Sequence, residues 1–220
     1  MAKPSSRGPA PGPTIIRQLA QLAGSTLPAS SPSVPERLSQ WFDWSRAVAL
    51  QGALDGQLPP PDIDAARFDA NEEGDCARIR AEMGAVVART AAALADADLE
   101  ACRKHYLSVQ RSLQAATGRL RGRLRDMLAQ GTPAQARVAE VDALLEQVLS
   151  PRESSLLASI PRAIGQQSER HLATAAVIAT GPAEAEPNPA FVRELQALLQ
   201  SELELRFLPI DGLLSALRTH

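Results

Sequence analysis

Aromatic residues are scarce in this chain: two Trp, one Tyr and four Phe make up 3% of 220 residues. A core built on large rings is therefore excluded, and with 45% apolar residues the interior must be assembled from Leu, Ala, Val and Ile, which suits close helix pairs. Lysine is confined to Lys3 and Lys104. The other basic residues are arginines, which together with the abundant alanine reads as a GC-rich genome's codon bias and makes the arginine excess weak functional evidence. Two cysteines, Cys76 and Cys102, are too few for a disulfide scaffold, and both occupy apolar positions of helical patterns, so they read as reduced core residues. No uninterrupted apolar run reaches membrane-spanning length, and Arg17 and Gln18 break the first apolar stretch. Neither a signal-peptide core nor a membrane anchor is expected, and the expected address is cytoplasmic. With a net charge of −2, the whole protein does not attract nucleic acid or an anionic membrane; such a partner would need a local patch.

What is present is helical periodicity. Residues 1–13, rich in Pro, Gly and Ser, carry too little apolar surface to offset ordering and are expected to form a disordered leader. A short helix is expected from Thr14 to Ala23, then another opened by Ser33-Val34-Pro35-Glu36, where Ser33 caps, Pro35 fits the first turn and Glu36 completes a capping box. Asp43 caps a third that ends before the Gly56 to Pro61 boundary. From about Ala65 to Ala97 one helix carries the stripe Cys76, Ile79, Met83, Val86, Thr90 and Leu94. The same alternation of three and four resumes in Leu99, Cys102, Tyr106, Val109, Leu113, Ala116 and Leu120, extended by Leu124 and Met127 after a stutter. Gly131-Thr132-Pro133 supplies a stop, a cap and a first-turn proline for a helix to Leu149 on Val138, Val141, Leu145 and Val148. Ser150-Pro151-Arg152-Glu153 opens the next, bent near Pro161 and reaching Ile178. A helix restarts at Asn188-Pro189, and Asp211 caps a last short one through Leu217.

The expected fold is all-α: an elongated helical bundle built on two long central antiparallel helices with shorter helices packed along them. Residues 14–180 form the helical domain, 181–187 a linker-like segment, and 188–220 C-terminal helices packed on the same domain. The Leu99 to Leu120 seam needs an apolar cover, either the acidic helix of the same chain or a second copy. The short Asp96 to Asp98 break favours the intrachain hairpin, and no sequence feature decides the oligomeric state.

Several constellations bear on chemistry. Arg119, Arg121, Arg123 and Arg125 spray around their helix, Arg121 sharing a face with Arg125 and Arg119 with Arg123. They are the candidate interaction surface, able to grip phosphates in pairs. Against that stands a charge asymmetry: ten acidic and four basic residues from Asp62 to Glu100, seven basic and one acidic from Arg103 to Asp126, so the arginines can answer the acidic helix instead. Cys102 and His105 are i and i+3, with Cys76 as a third soft ligand, but the second close pair of a zinc site is missing; no metal or cofactor is expected. His105, His171 and His220 lack the setting of a catalytic base, and no nucleophile elbow, phosphate loop or dinucleotide fingerprint occurs, so no catalytic residue is assigned. Gly118-x-x-x-Gly122 has the spacing of a close helix crossing. Trp41 and Trp44 are expected to anchor the core, the alternative being that one exposed tryptophan there marks a binding surface, and Glu202 and Arg206 are expected to form one surface pair.

Arg37-Leu38-Ser39-Gln40-Trp41, Arg103-Lys104-His105-Tyr106 with Gln110-Arg111, the stretch from Ala139-Glu140-Val141-Asp142 to Pro151-Arg152-Glu153, and the ending Glu204 to Leu217 together resemble the proteobacterial domain-of-unknown-function family 3348. The resemblance spans nearly the whole chain and carries over no reaction and no catalytic residue. Members of that family are encoded near membrane proteins, including one like outer membrane protein A, so the resemblance implies a link to an envelope assembly. The expectation that follows is a non-enzymatic cytoplasmic helical adaptor with an unidentified protein partner and no membrane insertion. The alternatives are nucleic-acid binding through the Arg103 to Arg125 stretch and, third, an unrecognised enzyme.

Overall fold

A computed structural model describes Gln18 and residues 34–58, 60, 68–94, 97–158, 160 and 189–219. The expected leader, the helix at Thr14 to Ala23 apart from Gln18, the bend near Pro161 and the linker at 181–187 lie outside the described residues. Within them the chain is all-α, and no strand occurs among the described residues. The helices are α1 (Val34–Trp41), α2 (Trp44–Asp55), α3 (Ala70–Ala88), α4 (Thr90–Ala93), α5 (Leu99–Ala129), α6 (Pro133–Ala158) and α7 (Pro189–Arg218).

Local chemistry sets most of the helix starts. Asp43 accepts the Arg46 amide, Asp69 those of Asn71 and Glu72, and Asp98 that of Ala101; each satisfies donors that the first turn leaves orphaned. Thr132 and Gln135 form a reciprocal capping box, Thr132 N donating to Gln135 Oε1 at 2.8 Å and Gln135 N to Thr132 Oγ1 at 3.3 Å. The Gln135 amide nitrogen then donates to the carbonyls of Ala216 and Thr219, so one side chain starts α6 and ties down the end of α7.

Cross-helix contacts fix the directions. Glu72 meets Arg123 and Thr90 meets His105, so α3 and α5 are antiparallel, as the Asp96 to Asp98 break requires. Arg121 reaches Asp142, while Glu153 pairs with Arg206 and Gln135 with the end of α7. The four helices therefore run up, down, up and down, which makes α5 and α7 parallel. Up-and-down bundles place parallel helices on a diagonal, yet α5 and α7 share the most extensive contact in the fold. They occupy the short diagonal, with α3 and α6 on either side.

The expected antiparallel pairing of α3 with α5 forms, but α3 is not the main cover of the seam. The seam of α5 is buried at Cys102, Tyr106, Val109, Leu113, Ala116 and Leu120, with Leu99 packed at its edge, but α7 rather than the acidic helix is its main cover. The two long central helices are α5, of 31 residues, and α7, of 30 residues. The reason is apolar content: α7 offers Val192, Leu195, Leu198, Leu199, Leu203, Phe207, Ile210, Leu213, Leu214 and Leu217 to the core, whereas α3 contributes fully only Cys76 and Val87. Burial follows apolar area.

Other boundaries shift for related reasons. The helix expected from Ala65 to Ala97 starts at Ala70 behind its Asp69 cap and breaks at Arg89. Neither proline ends its helix: α6 runs through Pro151 and α7 through Pro209. An interior proline costs about 3 kcal/mol, but Val148 and Leu157 flank Pro151 in the core, as Phe207 and Ile210 flank Pro209. That burial, about 1.5–3 kcal/mol for each side chain, outweighs the lost backbone bond. Val138, expected in the core, is 40% exposed, and Ala139 takes its place.

The α1–α2 arm lies along α6. Arg137 donates to the carbonyls of Ala53 and Gly56 at the end of α2, a cation at the negative end of the helix dipole. The Arg152 guanidinium covers the half-buried Trp41 ring at 5.0 Å.

Leu113, fully buried at the centre of the α5 seam, tests this arrangement. Leu113→Ala should destabilise the protein by about 2–5 kcal/mol in urea titrations followed by circular dichroism. Leu113→Asp should leave it unfolded at every concentration, because the charge has no partner in the core. A folded Leu113→Asp monomer in sedimentation would show that the seam serves an interface between chains.

Candidate functional site

The arginines of the candidate surface divide by helix face. Arg121 donates to both oxygens of Asp142, from Nε at 2.9 Å and Nη2 at 2.8 Å, and approaches Glu146 at 3.5 Å. Arg125 pairs with Glu146 and also lies 3.7 Å from Asp142. Burial alone would lower the pKa of Arg121, but the Asp142 hydrogen bonds and the charges of Asp142 and Glu146 hold it above its ordinary value. Arg123 turns the other way: its Nη2 stands 2.6 Å from Glu72 and 4.0 Å from Asp75. It is off the line of a directed hydrogen bond, so the contact with Glu72 is an ion pair. Arg119 is exposed and makes no ion pair with a described residue. The answering carboxylates thus come from α6 as well as from the acidic helix, and no continuous face of free arginine links the four positions.

Cys76 and Cys102 are buried and free. They lie at different levels of the antiparallel α3–α5 pair, Cys76 near Arg123 and Cys102 one turn from His105, which meets Thr90 Oγ1 at 3.2 Å. Among the described residues no group of three His, Cys, Asp or Glu could hold a metal ion. Burial, then the Glu72 charge, pushes the Cys76 thiol up to about 11; burial also raises Cys102 and lowers His105. His171 and His220 lie outside the described residues. The space beside Gly118 and Gly122 is open, so the expected crossing does not form with any described helix.

Two features differ from the main expectation read in the sequence. The first is Glu202, expected on the surface and found with 0% exposure. It accepts from Tyr106 Oη at 3.0 Å and Gln110 Nε2 at 3.2 Å on one oxygen, and from Arg206 Nε at 2.9 Å on the other. Arg206 in turn reaches Glu153 of α6 at 2.9 Å. Burial and the Glu202 charge both raise the pKa of Tyr106, which keeps the phenol a donor. Glu202 sits between Leu199 and Leu203 in the stripe, and the only partner legible locally was Arg206 at i+4, since Tyr106 and Gln110 lie 96 and 92 residues away in the chain. The second is Trp44, which is not a core anchor but is 84% exposed, with Val48 at 53% and Leu54 at 49% on the same helix.

Removing one partner of a buried pair leaves the other charge unanswered, at about 3–5 kcal/mol. Arg206→Met should therefore destabilise by that amount, while Glu202→Met combined with Arg206→Met should cost less than the sum of the singles; a double-mutant cycle in urea measures this. Thiol and phenol pKa values raised on folding mean that the unfolded chain releases protons first in alkali. Stability should be full below the ordinary thiol range and fall as pH rises from about 9 to 11, the Cys76 window. Both thiols should resist thiol reagents at neutral pH in the native state, and fast labelling of either would contradict the burial.

No helix among the described residues is long and apolar enough to cross a membrane. No curated protein and no solved structure matches the chain. A family profile described as "Protein of unknown function (DUF3348)" matches residues 1–219. Because the match covers all but the last residue, the chain belongs to the DUF3348 family.

Proposed function

We propose that the chain is a non-enzymatic helical adaptor of the cytoplasm, which binds a protein partner through the exposed apolar face of α2. The observation that carries this reading is Trp44, a large ring left 84% exposed in a chain with only two tryptophans. Tryptophan is the residue most enriched among binding hot spots. Val48 lies one turn beyond it on the same side, Leu54 flanks the patch, and no residue of α2 is fully buried.

The helix is nonetheless held firmly. Its start is capped by Asp43, its end is gripped by Arg137, and the turn at Gly56 admits no side chain because a Cβ there would fall 2.4 Å from the Gly52 carbonyl oxygen. An apolar patch on a fixed platform binds without first ordering its own backbone. The family resemblance directs the search for the partner toward envelope assemblies. Nucleic-acid binding through Arg121, Arg123 and Arg125 is disfavoured, because those guanidiniums are already committed to carboxylates.

A photo-crosslinking residue at position 47, an exposed alanine beside Trp44, in the full-length chain in its native organism, should capture one protein species identifiable by mass spectrometry. Val48→Glu should lower the yield roughly tenfold or more while leaving thermal unfolding within about 0.5 kcal/mol, as for other surface changes. Absence of a protein crosslink, or a yield unaffected by Val48→Glu, would overturn the proposal.

A further inference from the structure

α5 turns one face to the core and presents the opposite face to solvent. Along that outer face runs the row Arg103, Leu107, Arg111, Ala115, Arg119, one residue every four, which on a helix surface forms a continuous inclined ridge. Arg103, Arg111 and Arg119 are exposed, and none forms an ion pair with a described residue. That is unlike Arg121, Arg123 and Arg125 on the same helix. Successive arginines stand eight residues apart, about 12 Å along the axis.

The ground on both sides of the ridge is low. Exposed Ser108 and Ser112 lie on one side, the Ser112 hydroxyl turned back to the Ser108 carbonyl at 3.1 Å. Gly118 and Gly122 lie on the other, where an added Cβ would meet nothing within 4 Å. Two short shallow grooves at the inclination of a four-residue row are therefore open, one over Ser108 and Ser112 past Lys104 and one over Gly118 and Gly122 past Gln114, each flanked by guanidinium groups.

We propose that this face of α5 docks an acidic α-helix from a partner protein, seated in the small-residue grooves with its carboxylates on Arg103, Arg111 and Arg119. Grooves at this inclination accept the ridge of a second helix, and serine and glycine floors let the two backbones approach closely. Three uncompensated guanidiniums select carboxylates, which they bind bidentately. The surroundings discriminate against the other common polyanion. The chain carries a net charge of −2, and Arg121, Arg123 and Arg125 are neutralised by carboxylates, so a duplex would find no broad positive field beyond the ridge. A single helix confined to the ridge needs none. This surface is distinct from the α2 face, and neither proposal depends on the other.

The test places a photo-crosslinking residue at position 115, in the middle of the ridge, in the full-length chain in its native organism, and sequences the attached peptide. The expected product is a protein segment with at least three Asp or Glu at helical spacing. Its yield should fall roughly tenfold or more in the Arg103→Glu, Arg111→Glu, Arg119→Glu triple variant, and by several-fold on raising salt, as for an exposed charged interface. Arg103→Gln, Arg111→Gln, Arg119→Gln should give an intermediate loss with an unchanged thermal melt, which separates lost recognition from lost folding. Crosslinks to nucleic acid, crosslinks to a segment lacking those acids, a yield indifferent to the arginines, or no crosslink at position 115 would each overturn the proposal. Capture at position 47 reports only on the α2 face.

Discussion

A carboxylate with no exposure must be answered by donors from the elements around it, and in this protein that requirement falls on Glu202. Its partners come from α5 through Tyr106 and Gln110, and from its own helix through Arg206. Arg206 extends the connection to Glu153 of α6. Apolar packing between α5 and α7 is non-directional, and a leucine-rich pair can slide by a turn at modest loss. A slide of α7 would strand Glu202 among leucines, where an unanswered charge costs far more than a misplaced methyl group. The network thereby fixes the register of the two longest helices, and the rest of the bundle is built on that register.

The flanking helices are aligned by a second tier of charges. Arg121 and Arg125 clamp α6 through Asp142 and Glu146, while Arg123 holds Glu72 of α3. On the far side of α3, Arg80 and Glu73 meet Asp211 and Arg218 of α7, and the Arg80 guanidinium also lies 4.4 Å from the Phe207 ring centre. The exposed pairs contribute little to stability. The partly buried bidentate contact at Arg121 has the geometry that gives orientation as well as energy. Most of the conspicuous arginine run is therefore spent on architecture, which is why its density overstated its value as a binding surface.

Two surfaces stand apart from this internal accounting of charge and apolar area. α2 leaves a tryptophan uncovered although it is capped at both ends, and the outer face of α5 leaves arginines unpaired although carboxylates are plentiful nearby. In each case the backbone is rigid and the side chains are unsatisfied, the combination expected of a preorganised binding surface. Members of the family can be compared by whether these positions keep their character.

The helical class, the Asp43 and Thr132 caps, the antiparallel turn before Asp98 and the burial of Cys102, Tyr106 and Leu113 were legible in the sequence, because they depend on residues within a turn or two of one another. Caps satisfy local donors, and a spacing of three and four defines an apolar face wherever the helix ends up. The helix through Pro151 and Pro209, the exposure of Trp44 and the burial of Glu202 were not legible. Each depends on what lies opposite: a proline is tolerated when the stripe on both sides is covered, and a glutamate can enter the core only when a tyrosine 96 residues away in the chain supplies its hydrogen bond. By itself the sequence determined which faces had to be covered. Tertiary structure decided that α7, running parallel to α5 on the short diagonal, would cover the seam in place of the acidic helix, because the larger apolar stripe buries more area and carries the carboxylate that locks it in register.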